Sequence, residues 1–253
     1  MARKAPDREV IPVVQRVRLQ YAKRGPLKFS SHRDFQRAFE RAVRRVGVPM
    51  AYSAGFNPHP KISYANAAPT GTASEAEYVE IGLASEVDTA KLLAALQQAM
   101  PRGLDMMDAV TARTSDFAER LEASVWRIAL PSVSAETIEA AVAAFMERSD
   151  VQVSRMTKNG LRTFDTRQAV LEITVEGSET TESGLVCAIL RLVVRHLTPA
   201  VRPDDVLSGL GQVADLVFEV APRITRIAQG PLTESGNAVS DPLGPDRHTV
   251  DHE

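Results

Sequence analysis

The sequence contains a single cysteine, Cys187, and this scarcity excludes several kinds of site. One thiol cannot form an internal disulfide framework, and a zinc knuckle or a three-cysteine iron–sulfur site needs more. No apolar run approaches the ~20 residues that cross a bilayer, and the first residues lack the apolar core of an export signal. We therefore expect a cytoplasmic protein with no membrane segment, no bound metal and no resident cofactor.

Basic and acidic residues are present in nearly equal numbers, but they are distributed unevenly. Residues 1–64 hold 14 Lys and Arg against four Asp and Glu, whereas the remaining residues hold 16 basic and 28 acidic groups. An electropositive end favours a polyanionic partner such as nucleic acid or phosphate. The alternative is that the two oppositely charged parts of the chain pair with each other.

The first half of the sequence has the hydrophobic periodicity of alternating strands and helices. The predicted elements are Val13–Tyr21, His32–Val46, Ile62–Ala65, Glu77–Leu83, Asp88–Met100 and Leu104–Val110. Their β-α-β-β-α-β order is typical of the ferredoxin-like fold. We predict a basic ferredoxin-like domain over residues 13–112, after a flexible N-terminus of residues 1–12.

The second half is predicted to repeat this order over residues 120–228, giving an α+β protein of two tandem ferredoxin-like halves. The expected strands are Ser124–Leu130, Val151–Thr157, Val170–Val175 and Asp215–Val220, and the expected helices are Ser134–Arg148 and the apolar Leu185–His196. Lys158-Asn159-Gly160 is a strong turn signal. Only the order of elements supports a duplication, since the halves show no sequence similarity. Residues 229–253 lack periodicity and are predicted to be a disordered tail.

The first predicted helix carries a ridge of arginines opposite its apolar stripe. Ser31 with Asp34 is a variant of the capping box, and Gly47 followed by Pro49 ends the helix. The ridge consists of Arg33, Arg37, Arg41 and Arg44, with Arg45 beside it. At 1.5 Å rise per residue it is about 17 Å long and matches several phosphates. The alternative is a solvated helix face, aided by pairing of Glu40 with Arg44.

The loop after this helix is the most unusual segment of the sequence. It consists of Gly55, Phe56, Asn57, Pro58, His59, Pro60 and Lys61. The two prolines fix their own backbone and push the residues before them towards extended conformations. His59 is therefore predicted to lie on a stiff arm beside Lys61. The alternative is a structural loop that packs Phe56 and exposes His59 without a role.

Three further groups of residues are candidates for a site or an ion pair. His32 and His59 are candidate catalytic residues, because two histidines with lysine and arginine can supply the base, acid and charge stabilisation of metal-independent RNA cleavage. The same residues equally suit binding, and their spacing does not decide between catalysis and binding.

Cys187 shares a stripe of its predicted helix with Arg191 and Arg195, but a small buried residue is favoured over a reactive thiol. We interpret Glu80 as a cross-strand partner of Arg16 or Arg18.

Four runs of this sequence closely resemble the radical SAM-linked protein family. They are Leu27–Asp34, Phe39–Ala42, Ala51–Ser63, and Gly71 with Ser74–Tyr78. This family is a domain of unknown function, found alone or C-terminal to cobalamin-binding radical SAM proteins. The match covers roughly residues 13–225, and its most specific part is the run from Gly55 to Lys61. Members usually carry hydrophobic residues where Ser31 and Arg33 stand, so this helix begins in a more polar way.

The resemblance implies an association with radical SAM chemistry or with tRNA or rRNA metabolism, and no established catalytic residues. The chain is not expected to be a radical SAM enzyme itself, because three cysteines hold the cluster of such enzymes. The leading hypothesis is a non-catalytic accessory protein that binds RNA through the basic helix and the His59 loop. The alternatives are a metal-independent endoribonuclease or RNA-modifying enzyme, and a docking partner of a radical SAM protein or an RNA-processing enzyme.

Overall fold

The computed structural model describes residues 11–54, 56–157, 160–181 and 184–247, and its fold is α+β, as predicted. The chain divides into two compact units. The first consists of Met1–Ala118 with Leu243–Glu253, and the second of Glu119–Pro242. None of the helices in the described ranges is long and apolar enough to cross a membrane.

The strands and helices of the described residues are numbered here in chain order. They are β1 (Gln15–Lys23), α1 (His32–Val46), β2 (Ile62–Ala65), β3 (Ala73–Leu83), α2 (Thr89–Ala99), β4 (Leu104–Thr111), β5 (Ala123–Pro131), α3 (Ala135–Met146), β6 (Gln152–Thr157), β7 (Gly160–Asp165), β8 (Val170–Thr180), β9 (Val186–Arg195), α4 (Pro203–Ala214), β10 (Arg223–Gly230) and α5 (Gly244–Arg247).

The first unit forms an antiparallel sheet in the strand order β4-β1-β3-β2. Its first six elements follow the β-α-β-β-α-β order expected from the sequence. Val17, Leu19 and Ile81 point from β1 and β3 to one face and are fully buried. Phe35 and Phe39 of α1 pack into the same core, because the helix spacing places them on one stripe.

The ends of α1 are fixed by the signals that the sequence contains. The Ser31 side chain accepts from the Asp34 backbone, while the Asp34 carboxylate accepts from the Ser31 backbone, so the predicted capping box is present. Gly47 ends the helix at φ 72°, a left-handed conformation that glycine adopts without a Cβ clash. The bounds predicted for this helix, His32–Val46, are confirmed.

The alternation along β1 predicts an open basic face that carries Arg16 and Arg18 opposite the apolar residues, and this prediction is wrong for Arg18. Arg18 is only 2% exposed. Its Nε donates to Glu80 at 2.9 Å, Nη2 donates to the Thr114 carbonyl at 2.6 Å, and Nη1 donates to Asp246. Glu80 also pairs with Arg16 at 3.3 Å, which confirms its interpretation as a cross-strand partner. A buried guanidinium is tolerated here because its N–H donors are hydrogen-bonded to these groups.

The prediction of a disordered tail from residue 229 is wrong for residues 229–247. Strand β10 continues to Gly230, and Leu232 forms an isolated antiparallel β-bridge with Val239. Leu243, the residue immediately before α5, is fully buried. Asp246 accepts from the backbone N–H groups of Arg113 and Thr114 at 2.9 and 3.1 Å. These contacts order a segment whose composition alone indicates disorder. Residues 1–10 and 248–253, predicted to be parts of a flexible N-terminus and of the tail, lie outside the described residues.

The carboxylate of Asp246 makes the stability of the folded protein depend on pH in the acidic range. Burial alone would raise its pKa, but hydrogen bonds from Thr114 and the Arg113 backbone and the charge of Arg18 lower the pKa to about 2. Because the pKa in the folded state is depressed, this stabilisation is present above about pH 4 and is lost as the pH falls towards about 2.

We expect Asp246→Asn to remove about 2 kcal/mol of this pH-dependent stability. Urea unfolding of both proteins at pH 5, 4, 3 and 2.5 measures the difference between their free energies of unfolding. That difference is expected to shrink as the pH falls from 4 to 2.5. A difference that stays constant over this interval would contradict the role given to the carboxylate.

The second unit forms an antiparallel sheet in the strand order β10-β5-β9-β8, with the hairpin β6-β7 as a separate two-stranded sheet. Its core includes Trp126, Ile138 and Phe145. The hairpin places Thr157 opposite Gly160; the other two residues of the predicted turn, Lys158 and Asn159, lie outside the described residues.

Two predictions for the second unit are wrong. Residues 186–195 form the inner strand β9 rather than the predicted helix. A strand that is buried on both faces is apolar throughout, so its sequence cannot be told from that of a buried helix. Asp215–Val220 is irregular, and the last strand of the unit is β10, which follows the unpredicted helix α4.

Candidate nucleic-acid interface

Helix α1 presents the predicted arginine ridge to solvent. The apolar stripe of the helix packs on the first sheet, and this orientation turns the opposite face outward. The exposed arginines on that face are Arg33, Arg37, Arg41, Arg44 and Arg45. Arg44 pairs with Glu40 at 3.4 Å, and its side chain is still 74% exposed. The other four have no salt bridge to any described residue, so their donors face solvent.

The loop after α1 is held at its base by hydrogen bonds. The Lys61 N–H donates to the Ala51 carbonyl at 2.8 Å, and the Ser53 N–H donates to the His59 carbonyl at 2.8 Å. The His59 N–H donates to the Ser53 hydroxyl at 3.0 Å. The backbone on either side of the His59 ring is therefore fixed by its partners as well as by the two neighbouring prolines. Gly55 lies outside the described residues.

Two aromatic side chains, one on this loop and one just before it, are exposed. Phe56 is 50% exposed and Tyr52 is 45% exposed. His59 is exposed as well, and the alternative of a structural loop that packs Phe56 stays a prediction. Exposed aromatic rings beside basic side chains are the means by which proteins stack unpaired bases. No role is predicted for Tyr52 from the sequence. The sequence feature that could have indicated one is its position as an aromatic residue close to the proline-rich run.

A groove of about 350 Å³ lies between α1 and the loop. The helix contributes Glu40, Val43 and Arg44 to one wall, while Tyr52 and His59 line the other. The end of the arginine ridge and the His59 arm thus meet at one concave surface. Glu40 was expected only to pair with Arg44, and its position in the groove depends on how the loop folds back on the helix.

His32 lies away from this groove. Its ring is joined to the Gln36 amide by a 3.0 Å hydrogen bond and meets the edge of the Tyr64 ring at 4.8 Å between centroids. Along α1 it is eight residues from Glu40, or about 12 Å at 1.5 Å per residue. The structure therefore places one of the two candidate histidines in the groove and the other outside it. Lys61 is half-buried and lies at the base of the loop.

The Tyr64 hydroxyl is a buried polar group with no hydrogen-bond partner among the described residues. Burial raises the pKa of this phenol, and the nearby negative charge of Glu40 raises it further. Tyr64 is therefore a neutral phenol at physiological pH. Its ring packs against Phe35 at 5.9 Å between centroids, so it supports the helix that carries the ridge.

Cys187 and the acidic residues do not form a second site. Cys187 is 2% exposed and packs with Ala129 and Ile189, which favours the interpretation as a small core residue. It lies on a strand, so the stripe shared with Arg191 and Arg195 follows strand rather than helix spacing. Over the described ranges, no group of three or more His, Cys, Asp or Glu side chains is placed to hold a metal ion.

One family of proteins matches this sequence over residues 16–203, and its description is "Uncharacterized protein conserved in bacteria (DUF2344)". The matched region includes the arginine ridge, the His59 loop and the groove between them. No curated protein matches the sequence significantly. The comparison thus gives a family without an assigned activity and shows no link to radical SAM proteins.

Proposed function

The chain belongs to the DUF2344 family of uncharacterized proteins conserved in bacteria, and we propose that it is a non-catalytic protein that binds single-stranded RNA. The observation that carries this proposal is the exposed ridge on α1, where four of five arginines have no salt bridge to any described residue. Arginine has a planar fork of donors that suits phosphate oxygens. A ridge that follows one helix face matches a run of backbone phosphates.

The exposed aromatic residues favour unpaired RNA over duplex RNA. Tyr52 and Phe56 lie on the loop that faces the end of the ridge across the groove. Bases in a duplex are stacked on each other, whereas unpaired bases can stack on aromatic side chains. The ridge then supplies most of the affinity, and the loop supplies contacts to bases.

The fold is compatible with this function. We interpret both units as ferredoxin-like, because both sheets have the strand order fourth, first, third, second when the strands of each sheet are counted along the chain. This order is β4-β1-β3-β2 in the first unit and β10-β5-β9-β8 in the second. In the second unit the hairpin β6-β7 is then an insertion after α3. Such a fold supports many functions, so the proposal depends on the ridge and not on the topology.

The endoribonuclease hypothesis has less support. The form predicted from the sequence uses His32 and His59 as acid and base at one phosphate, and only His59 lines the groove. Association with a radical SAM protein or an RNA-processing enzyme stays a prediction from the sequence resemblance. It is compatible with RNA binding, since an accessory protein can present RNA to a separate enzyme.

RNA binding is tested by fluorescence anisotropy with a labelled, unstructured 20-nucleotide RNA in 50–300 mM NaCl. Neutralisation of about four phosphates is expected to give a slope of about −3 when the logarithm of the association constant is plotted against that of the salt concentration. A duplex of the same length is expected to bind more weakly. Absence of binding at 50 mM NaCl, or a flat salt response, would overturn the proposal. Partner proteins that stay bound after nuclease treatment would favour protein docking instead.

A further inference from the structure

We propose that the groove between α1 and the His59 loop binds the base of an unpaired guanosine nucleotide, with Glu40 contacting its Watson–Crick edge. This inference rests on the proposed RNA-binding function and adds a base preference to it. The residues concerned are Glu40 and Arg44 on the helix and Tyr52 and His59 on the loop.

The size and lining of the groove suit a planar base. At about 350 Å³ it lies at the small end of the range for ligand sites, which is roughly 300–1,000 Å³. Apolar surface comes from Val43, Met50 and Ile62, and the rings of Pro58 and Pro60 add flat, rigid faces. Prolines and a hydrogen-bonded loop lose little freedom when a ligand binds. A flat ring can therefore be held at low entropic cost.

The rings of Tyr52 and His59 provide a stacking surface beside this apolar lining. Tyr52 is 45% exposed, so its side chain is accessible to a ligand. His59 is exposed, and its backbone is fixed by both hydrogen bonds with Ser53. Stacking on such rings accepts every base and gives affinity without selection. Selection must come from a polar group in the groove.

Among the described residues that line the groove, Glu40 is the only one with an acidic side chain, and its carboxylate selects for hydrogen-bond donors. An ionised carboxylate has two acceptor oxygens and no donor. Guanine presents two adjacent donors on its Watson–Crick edge, N1–H and the N2 amino group, and these match the two oxygens. Adenine and cytosine present one amino group beside an acceptor nitrogen, and uracil has a single N–H between two carbonyls. Charge-assisted bonds to both oxygens therefore favour guanine.

Arg44 can contribute a phosphate contact at the same site. Its pairing with Glu40 is long at 3.4 Å, and the two side chains are 74% and 39% exposed. Exposed pairs of this kind contribute little to stability, so exchanging Glu40 for a phosphate oxygen costs little. A nucleotide with its base on Glu40 then continues the strand onto Arg41 and Arg37 of the ridge.

Anisotropy with twelve-residue RNAs tests the inference, using oligoadenylate and the same strand with one central G, C or U. The wild-type protein is expected to bind the G-containing strand about tenfold more tightly than the other three. In Glu40→Gln, whose amide would place a donor against guanine, this ratio is expected to fall to within about twofold. The matched control is Glu139→Gln on α3, an exposed glutamate outside the site, which is expected to keep the wild-type ratio.

Calorimetry with GMP and AMP completes the experiment and separates the two proposals. GMP binding that is stronger than AMP binding and is lost in Glu40→Gln supports guanine binding in the groove. If the same result is obtained but no RNA binds, the groove is a site for free nucleotides and the RNA proposal is overturned. Equal affinity for all four RNAs, with a steep salt dependence, would overturn the guanine inference and leave RNA binding intact. No binding of either RNA or GMP would overturn both.

Discussion

Replacement of Arg18 by methionine is expected to lower the free energy of unfolding by about 3–5 kcal/mol. The guanidinium is 2% exposed and contacts Glu80, Thr114 and Asp246. Methionine fills much of the space of the side chain but cannot donate, so the fully buried Asp246 carboxylate loses its contact with the Arg18 guanidinium. Breaking a buried ion pair by removing one of its members is costly, whereas the pair itself contributes less than this loss suggests.

Arg16 provides a matched control on the same strand. It pairs with the same Glu80, but its side chain is 54% exposed. Arg16→Met is therefore expected to cost less than about 1 kcal/mol. Urea unfolding followed by far-ultraviolet circular dichroism measures both variants. Equal losses in the two variants would show that burial of the guanidinium does not determine the cost.

A double variant shows whether the loss arises from the pair. If Asp246→Asn is combined with Arg18→Met, the buried charge that the single variant leaves behind is removed. The cost of the double variant is then expected to be smaller than the sum of the single costs by about 1–3 kcal/mol. Strict additivity would mean that the two residues stabilise the protein independently.

Local signals account for what the sequence predicted correctly in the first unit. Helix α1 has an apolar stripe, a capping box and a terminal glycine, and each is encoded within a few residues. The alternation of Val17, Leu19 and Tyr21 along β1 likewise predicts that these three side chains share one face, and all three are buried. The ridge followed directly, because the positions opposite a buried stripe are exposed whatever the rest of the fold does.

The features that sequence reasoning missed depend on contacts between distant residues. Asp246 contacts Arg18 across 228 positions, so neither the order of the tail nor the burial of Arg18 has a local signal. Strand β9 is buried because residues such as Leu190 and Leu192 pack in a core with Ile138 and Phe145 of α3, and an all-apolar run is equally typical of a buried helix. The groove also went unpredicted, since pairing of Lys61 with Ala51 and Gly82 is what brings Tyr52 and His59 opposite Glu40.

Replacement of both Arg37 and Arg41 by alanine is expected to weaken single-stranded RNA binding by about 100-fold at low salt. The two side chains are exposed one turn apart at the centre of the ridge. Loss of two charge-assisted phosphate contacts at about 1.4 kcal/mol each gives tenfold per contact. The salt slope is expected to become shallower by about 1.4, or 0.7 for each phosphate no longer neutralised. Alanine favours helix, so circular dichroism is expected to show α1 intact.

Arg148→Ala serves as the control, because this exposed arginine follows α3 in the second unit. If net charge alone attracted RNA, each arginine removed would weaken binding to a similar extent wherever it lies. If the ridge holds the backbone, Arg148→Ala is expected to change affinity by less than about twofold and to leave the slope unchanged. The slope is the more informative quantity, since it counts neutralised phosphates. A double variant that binds more weakly with an unchanged slope would show that Arg37 and Arg41 act without contacting phosphates, and the ridge would lose its assigned role.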